Sequence, residues 1–100
     1  MQKAYLHLIK WALSKDYSVE IECEGETDYS GQSYNEAKNA VEAVESGVIY
    51  LKQGGEYVAW FSFVFDYNQS PDEIINDWGI NQITEQWSKE YYGWQVENAS

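Results

Sequence analysis

The sequence contains no arginine, and its six lysines are outnumbered by seventeen aspartates and glutamates, which gives a formal net charge of -11. Arginine makes the bidentate contacts that phosphate groups favour, so its absence in a negatively charged chain argues against direct binding of nucleic acid or anionic membranes. The field of such a chain attracts basic surfaces instead. We therefore expect a basic protein as the partner, with no direct nucleic-acid binding and no membrane binding.

Cysteine and histidine occur once each, and no apolar run reaches the length of about 18 residues that a membrane span needs. The single Cys23 excludes an internal disulfide and favours a small core residue in a reducing compartment. With His7 as the one histidine, a metal site or a histidine-activated nucleophile is not expected. Lys3, His7 and Lys10 interrupt the first apolar stretch, so no signal peptide is predicted. We expect the protein in the cytoplasm of a bacterial host cell.

Motifs that carry enzymatic chemistry are also missing. There is no HExxH and no CxxC, and Gly54-Gly55 lacks the lysine and following helix of a phosphate-binding loop. Glu20, Glu22 and Glu24 could supply a carboxylate pair, but acid–base catalysis needs a pocket that shifts a pKa, which a solvent-facing row does not provide. We predict that the chain is not an enzyme, has no catalytic residue and binds no metal or cofactor.

Aromatic residues, by contrast, make up 17% of the chain. Several lie in the run Val48 to Phe65, which predicts two strands joined by a tight turn at Gly54-Gly55. The second arm, 57–65, has apolar side chains on both faces, so we expect it to be the central strand. With 17–24 and 48–53 beside it, those two strands would run parallel across a right-handed helical crossover.

Four segments have the apolar periodicity or the terminal signals of helices: 2–14, 34–46, 71–78 and 82–92. Ser33 with Glu36, and Ser70 with Glu73, have the spacing of capping boxes. Gly47 is expected to end the second helix, where a left-handed residue is favoured.

These elements follow the order α-β-α-β-β-α-α. We expect residues 1–100 to form a single α+β domain, with a small, mostly antiparallel sheet of three to four strands and three to four helices. Segment 27–31 fits either a short strand or a loop. Residues 95–100 are expected to fray.

The sharpest feature is a row of acids on the first predicted strand. Tyr17, Val19 and Ile21 are expected to be buried, and the alternating Glu20, Glu22 and Glu24 to be exposed and aligned on the other face. The row continues to Glu26 and Asp28, and no lysine occurs between Lys15 and Lys38.

Two interpretations of this row are open. It is either a solvated strand face that keeps the protein soluble and prevents edge pairing, or a set of carboxylates about 6.7 Å apart that imitates a phosphate backbone. On the second interpretation the partner-binding residues are Glu20, Glu22, Glu24, Glu26 and Asp28. A secondary partner-binding patch is predicted in another lysine-free interval, at Asp66, Asp72, Glu73 and Asp77, unless these acids only complement a helix dipole.

Three segments together resemble small acidic accessory proteins of tailed bacteriophages: Lys15-Asp16-Tyr17-Ser18-Val19 after an amphipathic helix, EAVESG at Glu42 to Gly47, and PDEIINDW at Pro71 to Trp78. The helix-KDY-strand opening also resembles some anti-CRISPR proteins. The resemblance implies host takeover or counter-defence by binding and blocking a host protein. It carries over no catalytic residue.

Two functions follow as hypotheses. The first is a phage-encoded DNA-mimic inhibitor that blocks a basic nucleic-acid-binding host protein. The alternative is another acidic protein-interaction module, such as an immunity protein that neutralises a basic toxin or an adaptor that docks through exposed Trp11 and Trp94. Salt separates them, because binding steered by charge weakens steeply with ionic strength whereas aromatic docking barely responds.

Overall fold

The computed structural model of the chain describes residues 3–66 and 68–93, without the side chain of Asp72. It is an α+β fold with one five-stranded antiparallel sheet. The strands are β1 Ser18–Cys23, β2 Glu26–Gly31, β3 Ser46–Gln53, β4 Glu56–Val64 and β5 Ile75–Trp78. The helices are α1 Ala4–Ser14, α2 Tyr34–Glu42 and α3 Gln82–Ser88, which continues into a π-helical turn over Lys89–Gly93. No helix in these ranges is long and apolar enough to cross a membrane.

The strand order is β2-β1-β3-β4-β5, so β3 is the central strand. The predicted central position of 57–65 is wrong, and so is the predicted parallel pairing, because β1 and β3 are antiparallel. The chain turns back through the hairpin strand β2 before it enters α2, and this extra reversal sets the direction of β3. Segment 27–31, which fitted either a strand or a loop, belongs to β2.

The core lies between the sheet and the helices. The inward side chains of the three middle strands are fully or almost fully buried, and they pack against apolar side chains of α1, α2 and α3: Val19, Ile21, Ile49, Leu51, Phe61 and Phe63, against Leu8, Ile9, Val41 and Trp87. Burial of Val19 and Ile21 is confirmed, and Tyr17 is half-buried beside them. Burial of such side chains contributes about 1.5–3 kcal/mol each, which makes this layer the main source of stability.

The β3–β4 hairpin turns at Gly54 and Gly55, as predicted. Both residues have positive φ, 60° and 82°, the conformation of a primed turn that only glycine adopts without strain. The predicted N-cap of α2 is also present, since the Glu36 backbone N–H donates to Ser33 Oγ at 3.3 Å.

The predicted role of Gly47 is wrong. Helix α2 ends at Glu42 and is capped by Ala43 in a right-handed conformation, while Gly47 lies inside β3. A Cβ at position 47 would lie 2.5 Å from the carbonyl oxygen of Glu22 and 2.9 Å from the Phe63 ring. Glycine is therefore needed at position 47 because the strands approach closely there. In the sequence, such a glycine looks the same as a glycine that ends a helix.

The predicted helix 71–78 is also wrong. Only Pro71–Glu73 is helical, as one 3-10 turn, and Ser70 makes no side-chain cap. The rest forms β5, whose entry is fixed by a 3.0 Å hydrogen bond from the Val64 backbone N–H to the Ile74 carbonyl. The buried Ile74 and Ile75 gain more from pairing with β4 than the weak helix formers of this segment gain from a helix.

Candidate protein-binding surface

The helices lie on one side of the sheet, and the other side carries no helix within the described ranges. Its side chains form three rows of direct cross-strand partners, which share a face in an antiparallel ladder. We call this surface the open face, and it consists of Ser18, Lys52 and Tyr57; Glu20, Tyr50 and Trp60; and Glu22, Val48, Ser62 and Asp77.

Large aromatic side chains stand on the open face. Tyr57 is 59% exposed and Trp60 is 39% exposed, although both belong to β4, whose inward side chains are buried. Tyr50 packs edge-on against Tyr57, with ring centroids 5.0 Å apart. The Trp60 ring lies over Gly79, where any Cβ would collide with it. Exposed aromatics held in place in this way are typical of protein-binding surfaces.

Glu20 contradicts the predicted row of exposed carboxylates. It is only 5% exposed. Its Oε1 lies 3.5 Å from Lys52 Nζ, and its Oε2 accepts a 2.7 Å hydrogen bond from the Tyr57 hydroxyl. The neighbouring tyrosines remove water from Glu20, and Lys52 offsets the cost of burying its charge. The bond to Glu20 in turn raises the pKa of Tyr57, since a tyrosinate would lose it.

The other members of the predicted row are not aligned with Glu20. Glu22 is half-buried on the open face, opposite Val48. Strand β1 ends at Cys23, and Glu24 has a positive φ of 53° in the hairpin turn, so it leaves the strand. Glu24, Glu26 and Asp28 are exposed around this hairpin. The regular spacing on which imitation of a phosphate backbone depends is therefore lost.

The predicted secondary patch is spread over two places. Asp77 lies on the open face, and its Oδ1 accepts a 2.9 Å hydrogen bond from the Trp78 backbone N–H. Asp66 and Glu73 are exposed in the connection between β4 and β5, while the side chain of Asp72 lies outside the description. Complementation of a helix dipole is not the role of these acids, because the helical segment at Pro71–Glu73 is a single turn.

Lysines are distributed unequally between the two sides. Five of the six belong to helical segments or their ends: Lys3, Lys10, Lys15, Lys38 and Lys89. Lys52 is the one lysine on the open face, and it is engaged by Glu20 and stacked 5.1 Å from the Tyr57 ring centroid. The open face thus combines exposed aromatics with an excess of carboxylates.

Three other predicted residues lie elsewhere. Trp11, expected to be exposed for docking, is 7% exposed in the core, and Trp94 lies outside the described residues, as do 95–100. Cys23 is half-buried at the end of β1. No group of three or more His, Cys, Asp or Glu side chains within the described ranges could hold a metal ion.

His7 lies at the boundary of the core, on α1. Its Nδ1 accepts a 3.0 Å hydrogen bond from Trp87 Nε1, and its ring contacts Tyr91. Burial lowers the pKa of His7, and the negative charge of Glu90 partly opposes that effect. A neutral imidazole is required to accept this bond, so His7 has a structural role here.

Comparison with known proteins identifies no relative. No protein-family model, curated protein or solved structure significantly matches the chain. The resemblance to bacteriophage accessory proteins therefore stays a prediction.

Sequence reasoning did not single out Tyr50, Lys52, Tyr57 and Trp60 as surface residues. The signal was present, because Trp60 and Ser62 alternate with the buried Phe61 and Phe63 along β4. The apolar character of both faces of this strand predicts burial of both, but only the inward face is buried. A serine among these aromatics indicates a face that contacts water.

Proposed function

We propose that this protein is an acidic protein-binding module that docks a basic partner through its open face. The observation that carries the proposal is the pair of exposed aromatics, Tyr57 and Trp60, on a sheet surface with no helix in the described ranges. Tyrosine and tryptophan are the side chains that most often anchor protein interfaces.

Charge supports a basic partner over a neutral one. The whole chain carries -11, and the one lysine of the open face is already paired with Glu20. An acidic field of this kind accelerates encounter with a basic protein and repels acidic ones. The proposal includes the blocking of a nucleic-acid-binding host protein on behalf of a bacteriophage. The charge of the chain and the resemblance described above support this role.

A second docking mode is favoured by the exposure of Glu24, Glu26 and Asp28 around the β1–β2 hairpin. A basic groove that normally holds nucleic acid would accept this acidic hairpin without using the aromatics. Both modes use carboxylates and should weaken with salt, but only docking on the open face should be weakened by removal of the Trp60 ring.

The test is a matched pair of charge reversals. A basic protein is captured from bacterial lysate at low salt, and its affinity is measured for Glu22→Lys on the open face and Glu85→Lys on the exposed side of α3. Both substitutions change the net charge equally. The proposal predicts a loss of at least about tenfold for Glu22→Lys and a much smaller one for Glu85→Lys.

Two further variants complete the design. Trp60→Ala should also weaken binding, while Glu24→Lys should leave it close to the level of Glu85→Lys. Equal losses in Glu22→Lys and Glu85→Lys would mean that only net charge matters, and the proposal would be wrong. A selective loss in Glu24→Lys would assign binding to the hairpin instead.

A further inference from the structure

One row of the open face has two carboxylates with short side chains between them. Glu22, Val48, Ser62 and Asp77 are direct cross-strand partners on β1, β3, β4 and β5. Adjacent strands are about 4.8 Å apart, so the three gaps separate the backbones of Glu22 and Asp77 by about 14 Å. We call these four residues the short row.

The neighbouring row is taller. It contains Tyr50 and Trp60, which are direct partners of each other on β3 and β4. The short row, with Val48 and Ser62 at its middle, is therefore bordered on one side by two larger aromatic side chains. The Ser62 hydroxyl donates to Asn76 Oδ1 at 2.7 Å, which holds it toward β5.

The carboxylates at the two ends have no cationic partner in the described part of the chain. The ion pairs found there are Lys38 with Glu42 and Lys52 with Glu20. Asp77 uses one oxygen to accept from the Trp78 backbone, which leaves the other available. These two carboxylates lie beside a row of aromatic side chains, on a face whose one lysine is engaged, and are complementary to cations supplied by a partner.

We infer that the short row seats an extended segment of the basic partner that carries two arginine or lysine side chains four residues apart. This inference rests on the proposed function and specifies the partner's chemistry. Extended residues rise about 3.4 Å each, so side chains at i and i+4 point the same way and span about 14 Å. Each cation pairs with one carboxylate, and an arginine at the Asp77 end stacks against Trp60.

A second copy of this chain does not fit the same seat. Its own open face repeats the carboxylates of Glu20, Glu22 and Asp77, with Lys52 already engaged. Two such faces would place like charges together, which is unfavourable in an interface. A basic segment is the complementary occupant.

The experiment uses short capped peptides and the whole protein at low salt, followed by amide chemical shifts in NMR. The probes are Arg-Ser-Ala-Ser-Arg, the isomer Arg-Arg-Ser-Ala-Ser, and Glu-Ser-Ala-Ser-Glu. We expect the first to shift the amides of Glu22, Val48, Ser62 and Asp77 and to bind at least about threefold more tightly than its isomer, since only it reaches both carboxylates at once. The acidic peptide should not bind.

Variants separate this inference from the proposed function. Glu22→Gln and Asp77→Asn should each abolish the preference for the spaced peptide, while Glu24→Gln, outside the row, should retain it. Shifts on the open face without a spacing preference would overturn the inference and leave the proposed function standing. Shifts confined to α1, α2 and α3 would overturn both.

Discussion

Neighbouring residues of β4 show the difference between the two faces of the sheet most directly. Phe61 is fully buried and packs edge-on against Trp87 of α3, with ring centroids 5.3 Å apart. Trp60, one position earlier, points to the opposite side and is 39% exposed. The same strand thus supplies the core with one side chain and the surface with the next.

Polar groups differ between the faces as well. The covered face of the sheet is lined by apolar side chains, whereas the open face holds a charged group in which Glu20 binds both Lys52 and Tyr57. Such a group is costly to desolvate and contributes less to stability than an apolar core. The comparison indicates that the covered face maintains the fold, and it supports the proposal that the open face contacts a partner.

The first and largest expected effect compares Phe61→Ala with Trp60→Ala. Phe61→Ala removes a ring from a closed core and should lower the free energy of unfolding by about 3–5 kcal/mol. Trp60→Ala removes a ring that water already contacts, and should cost about 1 kcal/mol. Urea denaturation followed by circular dichroism measures both. Equal losses would show that the open face is covered in solution and would break the comparison.

The buried charge group gives the second prediction. Lys52→Met leaves Glu20 with the Tyr57 hydroxyl as its main partner and should destabilise the protein by about 1–3 kcal/mol, since an uncompensated buried charge is unfavourable. The double variant Glu20→Gln with Lys52→Met should recover most of that loss. A double-mutant cycle measures the coupling. Additive losses would mean that the 3.5 Å pair is already screened by solvent.

Two tyrosine–glutamate hydrogen bonds, one on each side, give the third prediction. Tyr5 of α1 donates to Glu42 of α2, while Tyr57 donates to Glu20 on the open face. Tyr5 is 1% exposed, and burial is the main reason that its pKa is raised. Tyr5→Phe should therefore cost about 1.5–2 kcal/mol, and Tyr57→Phe should cost less, because the Tyr57 side chain is more than half exposed.

Thermal and urea unfolding of both phenylalanine variants test this order. Lys38→Met provides a control on the outer side of Glu42, where the 3.0 Å ion pair is more exposed and should contribute about 0.5 kcal/mol or less. A larger loss for Tyr57→Phe than for Tyr5→Phe would reverse the assignment of stability to the covered side.

The smallest effect is a pH response confined to the helical layer. Burial lowers the pKa of His7 in the folded protein. In the unfolded chain the histidine titrates at about pH 6.5, so the unfolded chain binds the proton more tightly than the folded protein does. The contribution of neutral His7 to the free energy of unfolding is fully present above that pH. It is lost as the pH falls through the pKa of His7 in the folded protein. The open face contains no histidine in its three rows.

Urea denaturation at about pH 7.5 and about pH 5.5 tests this dependence. His7→Gln keeps an acceptor for Trp87 Nε1 but does not titrate, so its stability should change less between the two conditions. An identical change in the variant would assign the response to the carboxylates instead.

The sequence predicted part of the covered side, although Trp11, expected to be exposed, belongs to its core. Periodicity identified α1, the alternation along β1 and the Gly54-Gly55 turn, because these features depend on local spacing and backbone conformation. The predictions from Gly47 and Pro71 are wrong. Gly47 allows a close approach between strands and Pro71 precedes an edge strand, and each has the same local pattern as a helix end.

The open face was harder to predict for a physical reason. Alternation places Glu20 on the outer side of β1, but its burial depends on Tyr57 and Lys52, which lie more than thirty positions away in sequence and are brought near by the β1–β3 pairing. Long-range pairing decides which charges are solvated. The prediction of three exposed and aligned carboxylates is therefore wrong, because Glu20 is buried, Glu22 is half-buried and Glu24 leaves the strand.

The central claim is that the open face, and not the helical layer, contacts the partner. Hydroxyl-radical footprinting of the wild-type protein, alone and bound to the captured basic protein, tests it through Tyr57 on the open face and Tyr34 on α2. The account predicts that oxidation of Tyr57 and Trp60 falls several-fold on binding while oxidation of Tyr34 is unchanged. Protection of Tyr34 with no change at Tyr57 and Trp60 would contradict it.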